Sequence, residues 1–283
     1  MVSIIERAPA KLNLGLDILG KRVDGYHDLS MVMISVDLCD YVTVTDRKEN
    51  EIIVESDNPR MPNNQKNDVF KAARLLKDQY HIQSGVSIYL SKKIPVCAGM
   101  GGGSSDAAAT IRALNKLWGL ELTKEEMVKV GMQIGSDVPY CLHGGYAKVK
   151  GKGELVTPIK ANLSSWVVLV KPDFGISTRT VFPDIDCDQI SRVDIAKIVS
   201  SLEKNDYEGL KASIGNSLED ISIARKPFIQ KIKDKMMTSG ADLALMTGSG
   251  PTVFALCRNE RQANRVVNSL KGFCKEVYKV RTL

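Results

Sequence analysis

The sequence contains no C-x-x-C pair, and its six cysteines (Cys39, Cys97, Cys141, Cys187, Cys257 and Cys274) are scattered, several of them inside apolar runs. That spacing excludes a zinc ribbon or a dithiol redox motif and leads us to expect reduced thiols in the core of a cytoplasmic protein. No apolar run approaches the length of a membrane span. The N-terminal M-V-S-I-I-E-R-A-P-A-K brings charge in too early for a secretory signal, so no membrane partner is expected. Also missing is any block of like charge: 39 Lys and Arg against 33 Asp and Glu leave +6, spread along the chain without interleaved aromatics. This disfavours a nucleic-acid partner and favours an anionic small molecule.

With 283 residues and 43% hydrophobic content, the chain can bury a large core and is long enough for two ordinary domains. Its most distinctive stretch is P-V-C-A-G-M-G-G-G-S-S-D-A-A-A from Pro95 to Ala109. Gly99, Gly101, Gly102 and Gly103 free this backbone for φ > 0 and for close approach to a ligand. Ser104 and Ser105 are expected N-caps, and Ala107, Ile111, Leu114 and Trp118 recur at helical spacing behind them. A helix N-terminus after a glycine loop suits a phosphate, through unpaired N–H groups and the positive end of the helix dipole. It is neither common nucleotide motif: no Lys follows the last glycine, and Ser104 stands where G-x-G-x-x-G needs its third glycine. Asp106 reads either as an ordinary acid of a first helical turn or as a group that needs a cation beside it if a polyphosphate binds there.

Elsewhere, Leu12, Leu14, Leu16 and Ile18 alternate with Lys11, Asn13, Gly15 and Asp17, which predicts a half-buried strand. Lys11 and Asn13 on its second face either meet solvent or line a polar cleft. Asp24-Gly25 predicts a hairpin turn, after which Tyr26 and His27 project or pack. Strands are expected over 31–45, 51–55 and 86–91, and helices from Val69 and after Thr123, where Glu126 completes a capping box. Asp137 precedes V-P-Y-C-L and is either an Asx turn before Pro139 or a partly desolvated general base. A strand at 166–170, helices over much of 177–239, two strands around Gly248 to Gly250, a helix near 259–270 and a strand at 276–281 follow. A domain boundary is expected near Thr157, giving domains 1–157 and 158–283.

A-P-A-K-L-N-L-G-L at 8–16, P-V-C-A-G-M-G-G-G-S-S-D-A-A at 95–108 and M-T-G-S-G-P-T-V-F-A at 246–255 together resemble the GHMP small-molecule kinases. D-G-Y-H-D-L and G-S-D-V-P-Y narrow the resemblance to members that act on a cytidine diphosphate-linked alcohol. It implies a two-domain α/β (α+β) fold, with an N-terminal domain like ribosomal protein S5 domain 2 and a ferredoxin-like C-terminal domain, the active site lying between them. It implies phosphorylation of an alcohol by ATP with Mg²⁺; the sequence itself is silent on whether the protein is a monomer or homodimer. By position it makes Lys11 and Asp137 catalytic, with Asn13 beside the reacting hydroxyl, and gives the triphosphate to Gly99, Gly101, Gly102, Gly103, Ser104 and Ser105. Asn67 and Lys92 are placed near the adenine, His27 at the cytosine edge, and Tyr26 and Phe182 on the base faces. Homoserine- or mevalonate-type kinases, or a silent nucleotide sensor of the same fold, are the alternatives.

Overall fold

The computed structural model describes residues 2–161, 163–182, 185–187 and 189–283. They form two compact units, each assembled from separate stretches of chain. One holds residues up to Ala10, Leu38–Ile94 and Gly101–Gly144; the other holds Lys11–Asp37, Pro95–Met100 and Gly145–Leu283. Two long strands, β1 (Ser3–Lys21) and β2 (His27–Arg47), contribute to both. Between them Gly25 adopts φ +83° in the expected turn.

In the first unit, β3 (Ile52–Ser56), α1 (Asp68–Gln79) and β4 (Gly85–Ser91) follow, with β4 antiparallel to Tyr41–Arg47 of β2 and parallel to β3. Three more helices complete it: α2 (Gly102–Leu117), α3 (Lys124–Met132) and α4 (Val138–His143). Helix α1 begins where Asn67 Oδ1 accepts the Val69 N–H, and it buries Val69, Ala72, Ala73 and Leu76. The buried face of α2 includes Ala107, Ala108, Ala109 and Ala113, side chains small enough for close helix packing. Thr123 and Glu126 form the expected capping box on α3.

The second unit adds the hairpin β5 (Ala147–Gly151) and β6 (Leu155–Pro158), with β5 paired to Leu29–Met33 of β2. Next come β7 (Trp166–Lys171), α5 (Thr178–Val181), α6 (Ile195–Glu203), α7 (Tyr207–Ser213), β8 (Gly215–Asn216), α8 (Glu219–Arg225) and α9 (Phe228–Thr238). The chain closes with β9 (Leu243–Met246), β10 (Val253–Cys257), α10 (Glu260–Leu270) and β11 (Glu276–Arg281). Strands β7, β9, β10 and β11 make a fully antiparallel sheet in the order β11-β7-β10-β9, with α9 and α10 packed on it. This is the split β-α-β-β-α-β order of a ferredoxin-like unit.

The structure corrects the reading of β1 as half-buried, because both faces are covered from Ala10 to Ile18. A Cβ at Gly15 would lie 2.5 Å from Ile198 Cδ1, and the Asp17 carboxylate accepts two bonds from Arg192, at 3.0 and 2.8 Å. The covering residues come from some 180 positions later, so the local alternation carries no trace of them. Of the six cysteines only Cys39, Cys141 and Cys257 are buried; Cys97 is exposed, and Cys187 and Cys274 are half-buried. No helix of the described residues is long and apolar enough to cross a membrane.

Candidate active site

Helix α2 starts at least three residues earlier than its serines predict. Its N-cap is Gly101, at φ +67° in the left-handed region, and no side chain caps it. The first intrahelical bond runs from Ser105 N to Gly101 O at 2.8 Å, so the amides of Gly102, Gly103 and Ser104 precede it. Ser104 and Ser105 lie inside the first turn, and the Ser105 hydroxyl donates to Pro9 O at 2.8 Å. The glycines displace the serines from the cap because a left-handed residue ends the loop where no Cβ is present. The result still suits an anion: the uncapped amides are those that bind phosphate at helix N-termini.

Lys11 is buried and donates through Nζ to Asn13 Oδ1 at 2.8 Å. Its backbone N–H donates to Met100 O at 3.0 Å. Asn13 is held in turn by its own N–H, which donates to Thr247 Oγ1 at 3.0 Å. Thr247 opens the second glycine loop, where a Cβ on Gly248 would stand 3.4 Å from Lys11 Nζ. Asn216 Nδ2 braces that loop by donating to Met246 O at 2.8 Å and Gly248 O at 2.7 Å. The polar-cleft alternative for Lys11 and Asn13 therefore fits better than solvent exposure. Thr247 and Asn216 are not among the expected site residues; Thr247 lies in the M-T-G-S-G-P motif, but Asn216, in β8, falls in a stretch whose sequence reads as helical and gives no local signal.

His27 is buried with its ring centroid 5.2 Å from that of Phe182, the planes tilted by 48°. Burial, and then the Lys21 charge, lower its pKa, so it is neutral at pH 7 with one ring nitrogen donating and one accepting. Tyr26 does not join this pair. It is 62% exposed, with Lys152 Nζ 4.9 Å from its ring centroid.

Asp137 is the half-buried N-cap residue of α4, with αR backbone and no side-chain capping bond of the kind an Asx turn makes. Asn67 and Lys92, expected beside the adenine, both have committed polar groups. Asn67 caps α1 and donates Nδ2 to Pro62 O at 2.7 Å. Lys92 Nζ sits 2.5 Å from both Asp40 Oδ2 and Asp106 Oδ2, with all three side chains almost wholly buried. Burial works against its charge, but Asp106 and Asp40 outweigh it and raise the Lys92 pKa. Asp40 was missed, although an acid inside the strand pattern L-C-D-Y-V-T-V was its available signal.

Residues 67–145 match the family of GHMP kinases N terminal domains, and residues 198–276 match the GHMP kinases C terminal family. A provisionally named 4-diphosphocytidyl-2-C-methyl-D-erythritol kinase of Streptococcus uberis is 73% identical over 283 residues, covering 100% of both chains. A protein of the same provisional name from Streptococcus mutans is 64% identical over 282 residues, again covering 100% of both. A crystal structure of 4-(cytidine 5'-diphospho)-2C-methyl-D-erythritol kinase superposes with a TM-score of 0.84 at 28% identity, covering 99% of each chain. A homoserine kinase from Cytophaga hutchinsonii, at TM-score 0.80 and 21% identity over 99% of this chain and 94% of its own, shares the fold. The chain belongs to the GHMP kinases, within the 4-diphosphocytidyl-2-C-methyl-D-erythritol kinase family.

Proposed function

We propose that this kinase transfers the γ-phosphoryl group of ATP to the 2-hydroxyl of 4-diphosphocytidyl-2-C-methyl-D-erythritol, a step of the non-mevalonate route to isoprenoid precursors. The observation that carries phosphoryl transfer is the uncapped, glycine-led N-terminus of α2. The acceptor is inferred from the family, and from a neutral buried His27 beside Phe182. In this reading the Asp137 carboxylate takes the hydroxyl proton as that oxygen bonds to the γ-phosphorus. The bond from the γ-phosphorus to the bridging oxygen breaks, and ADP leaves. Lys11, oriented by Asn13, neutralises charge on the transferring group. Mg²⁺ is proposed to arrive with the nucleotide and to neutralise phosphate charge when bound. Among the described residues no cluster of three or more His, Cys, Asp or Glu is placed to cage a metal, and Mg²⁺ is ordinarily held largely by substrate phosphates. Asn67 and Lys92 would have to exchange their present partners to reach an adenine, so we assign them support of α1 and of the glycine loop instead. The protein is proposed to work in the cytoplasm.

A coupled ADP-release assay with the diphosphocytidyl substrate, run beside homoserine and mevalonate, tests the assignment. Turnover of either smaller alcohol in preference to it would move the chain to another GHMP activity.

Gly101→Val is expected to raise the KM for ATP by on the order of tenfold or more while shifting that for the alcohol less. A β-branched residue is strained at φ +67° and fills space beside the amides. Equal increases for both substrates would point to general unfolding.

His27→Ala is expected to weaken cytidine binding by about 1–3 kcal/mol, because the polar edge of a buried base loses its partners. ATP binding should be unchanged. In the parent, cytidine affinity should hold through neutral pH and fall only as His27 gains a proton, below the ordinary histidine value. Titration calorimetry with cytidine and uridine nucleotides reads both effects; an unaltered preference in the variant would remove His27 from the base site.

A further inference from the structure

Behind the glycine loop lies a sealed cluster that the phosphoryl-transfer chemistry does not use. Asp40 on β2 accepts the backbone N–H groups of Lys93 and Ile94 through Oδ1, at 2.5 and 2.8 Å. Its Oδ2 meets Lys92 Nζ, which also meets Asp106 Oδ2 in the first half of α2. A Cβ at Gly102, the first residue of α2, would come within 3.2 Å of Ile94 Cγ2 and 3.7 Å of Asp40 Oδ2. The cluster thus joins β2, the segment after β4 and the start of α2 at the point where the loop becomes helix.

Two buried carboxylates share one ammonium, which leaves one negative charge uncompensated unless a proton is retained. Asp106 Oδ1 is buried and has no hydrogen-bond partner among the described residues. An anion with a bare oxygen in such a place would carry a much larger desolvation cost than a neutral acid. Asp40 cannot be the neutral member as readily, because its Oδ1 already accepts two backbone N–H bonds that stabilise its charge.

We propose that Asp106 is a proton-bearing, neutral positioning residue, and that the resulting charge-balanced Asp40–Lys92–Asp106 clamp fixes the start of α2 for triphosphate binding. The ATP part rests on the reading of Gly101–Ser105 as the phosphate loop; the protonation part does not. Burial, and also Asp40, push the Asp106 pKa up against the opposing pull of Lys92. Of the elements around α2, α1 brings Asp68, already paired with Lys71 at 2.7 Å; the α3 charges Lys124, Glu125, Glu126 and Lys129 are exposed. Helix α4 carries His143, whose pKa burial lowers.

The test compares the parent with Asp106→Asn and Asp106→Ala. Asn keeps an oxygen for Lys92 Nζ and, like the neutral acid, carries no charge. If the folded state keeps a proton that the unfolded chain releases, the parent loses stability as pH rises from about 4 toward the raised value. Over that range the Tm of Asp106→Asn should climb relative to the parent. A variant melting below the parent by a constant margin from about pH 5 upward would mean that Asp106 is a charged partner of Lys92, and would overturn the proposal. At neutral pH the KM for ATP should stay within about twofold in Asp106→Asn and rise by roughly tenfold in Asp106→Ala, with kcat changing less. An equal rise in both variants would overturn the positioning role. Should neither variant fold, carbon-13 NMR of the aspartate-labelled parent still decides: one carboxyl must titrate far above the ordinary range, and its absence would overturn the proposal. The melting and NMR readouts need no nucleotide, so they stand even if the loop binds no triphosphate.

Discussion

Asp137→Asn is expected to lower kcat by about 10²- to 10⁴-fold while the dissociation constants for ATP and for the alcohol move little. The substitution keeps the size of a half-buried N-cap residue that makes no side-chain capping bond, so the start of α4 loses little. What it removes is the ability to accept the hydroxyl proton. In a loose transition state proton removal can lag behind phosphoryl transfer, which would place the effect near the lower end of that range. Lys11→Ala should lower kcat as well, since it removes the cation that Asn13 orients. The double variant should lose less than the sum of the two in free energy, because in the proposed reading both groups serve the same transfer step. Single-turnover measurement with saturating substrates is the appropriate check. A kcat for Asp137→Asn within about twofold of the parent would identify a different base.

Lys92→Met is expected to have the largest effect on stability. It leaves Asp40 and Asp106 facing each other in a site from which solvent is excluded, and breaking a buried ion pair in this way costs about 3–5 kcal/mol. For a chain of this size that corresponds to a fall in Tm of roughly 6 to 20 °C, at about 2–4 °C per kcal/mol. Adding Asp106→Asn to Lys92→Met should restore little of the loss, because Asp106 is already neutral and the charge left without its partner is that of Asp40. Calorimetry of the three proteins at one pH measures this. A melting point for Lys92→Met within about 2 °C of the parent would show that the cluster is solvated and contributes little.

Local chemistry alone determined much of this protein. The capping box of α3, the Asp24-Gly25 turn, the amphipathic α1 and the paired strands around Gly248 to Gly250 follow from residues close together in the chain, and they stand in the structure where the sequence places them. The three separated motifs likewise carried the family. Three features lay beyond reach of the sequence, each for a physical reason. The second face of β1 is buried by residues near 193–198, and the period of a strand cannot report what packs on it from so far away. The serines after the glycine loop satisfy every rule for an N-cap, yet a glycine in the left-handed region starts the helix earlier, because backbone freedom outweighs side-chain capping there. Asp40, Lys92 and Asp106 are 52 and 14 positions apart along the chain in the two contacts they make. Only the packing of β2, the segment after β4 and α2 brings these charges into one dry site, and burial rather than sequence spacing decides which of them keeps its proton.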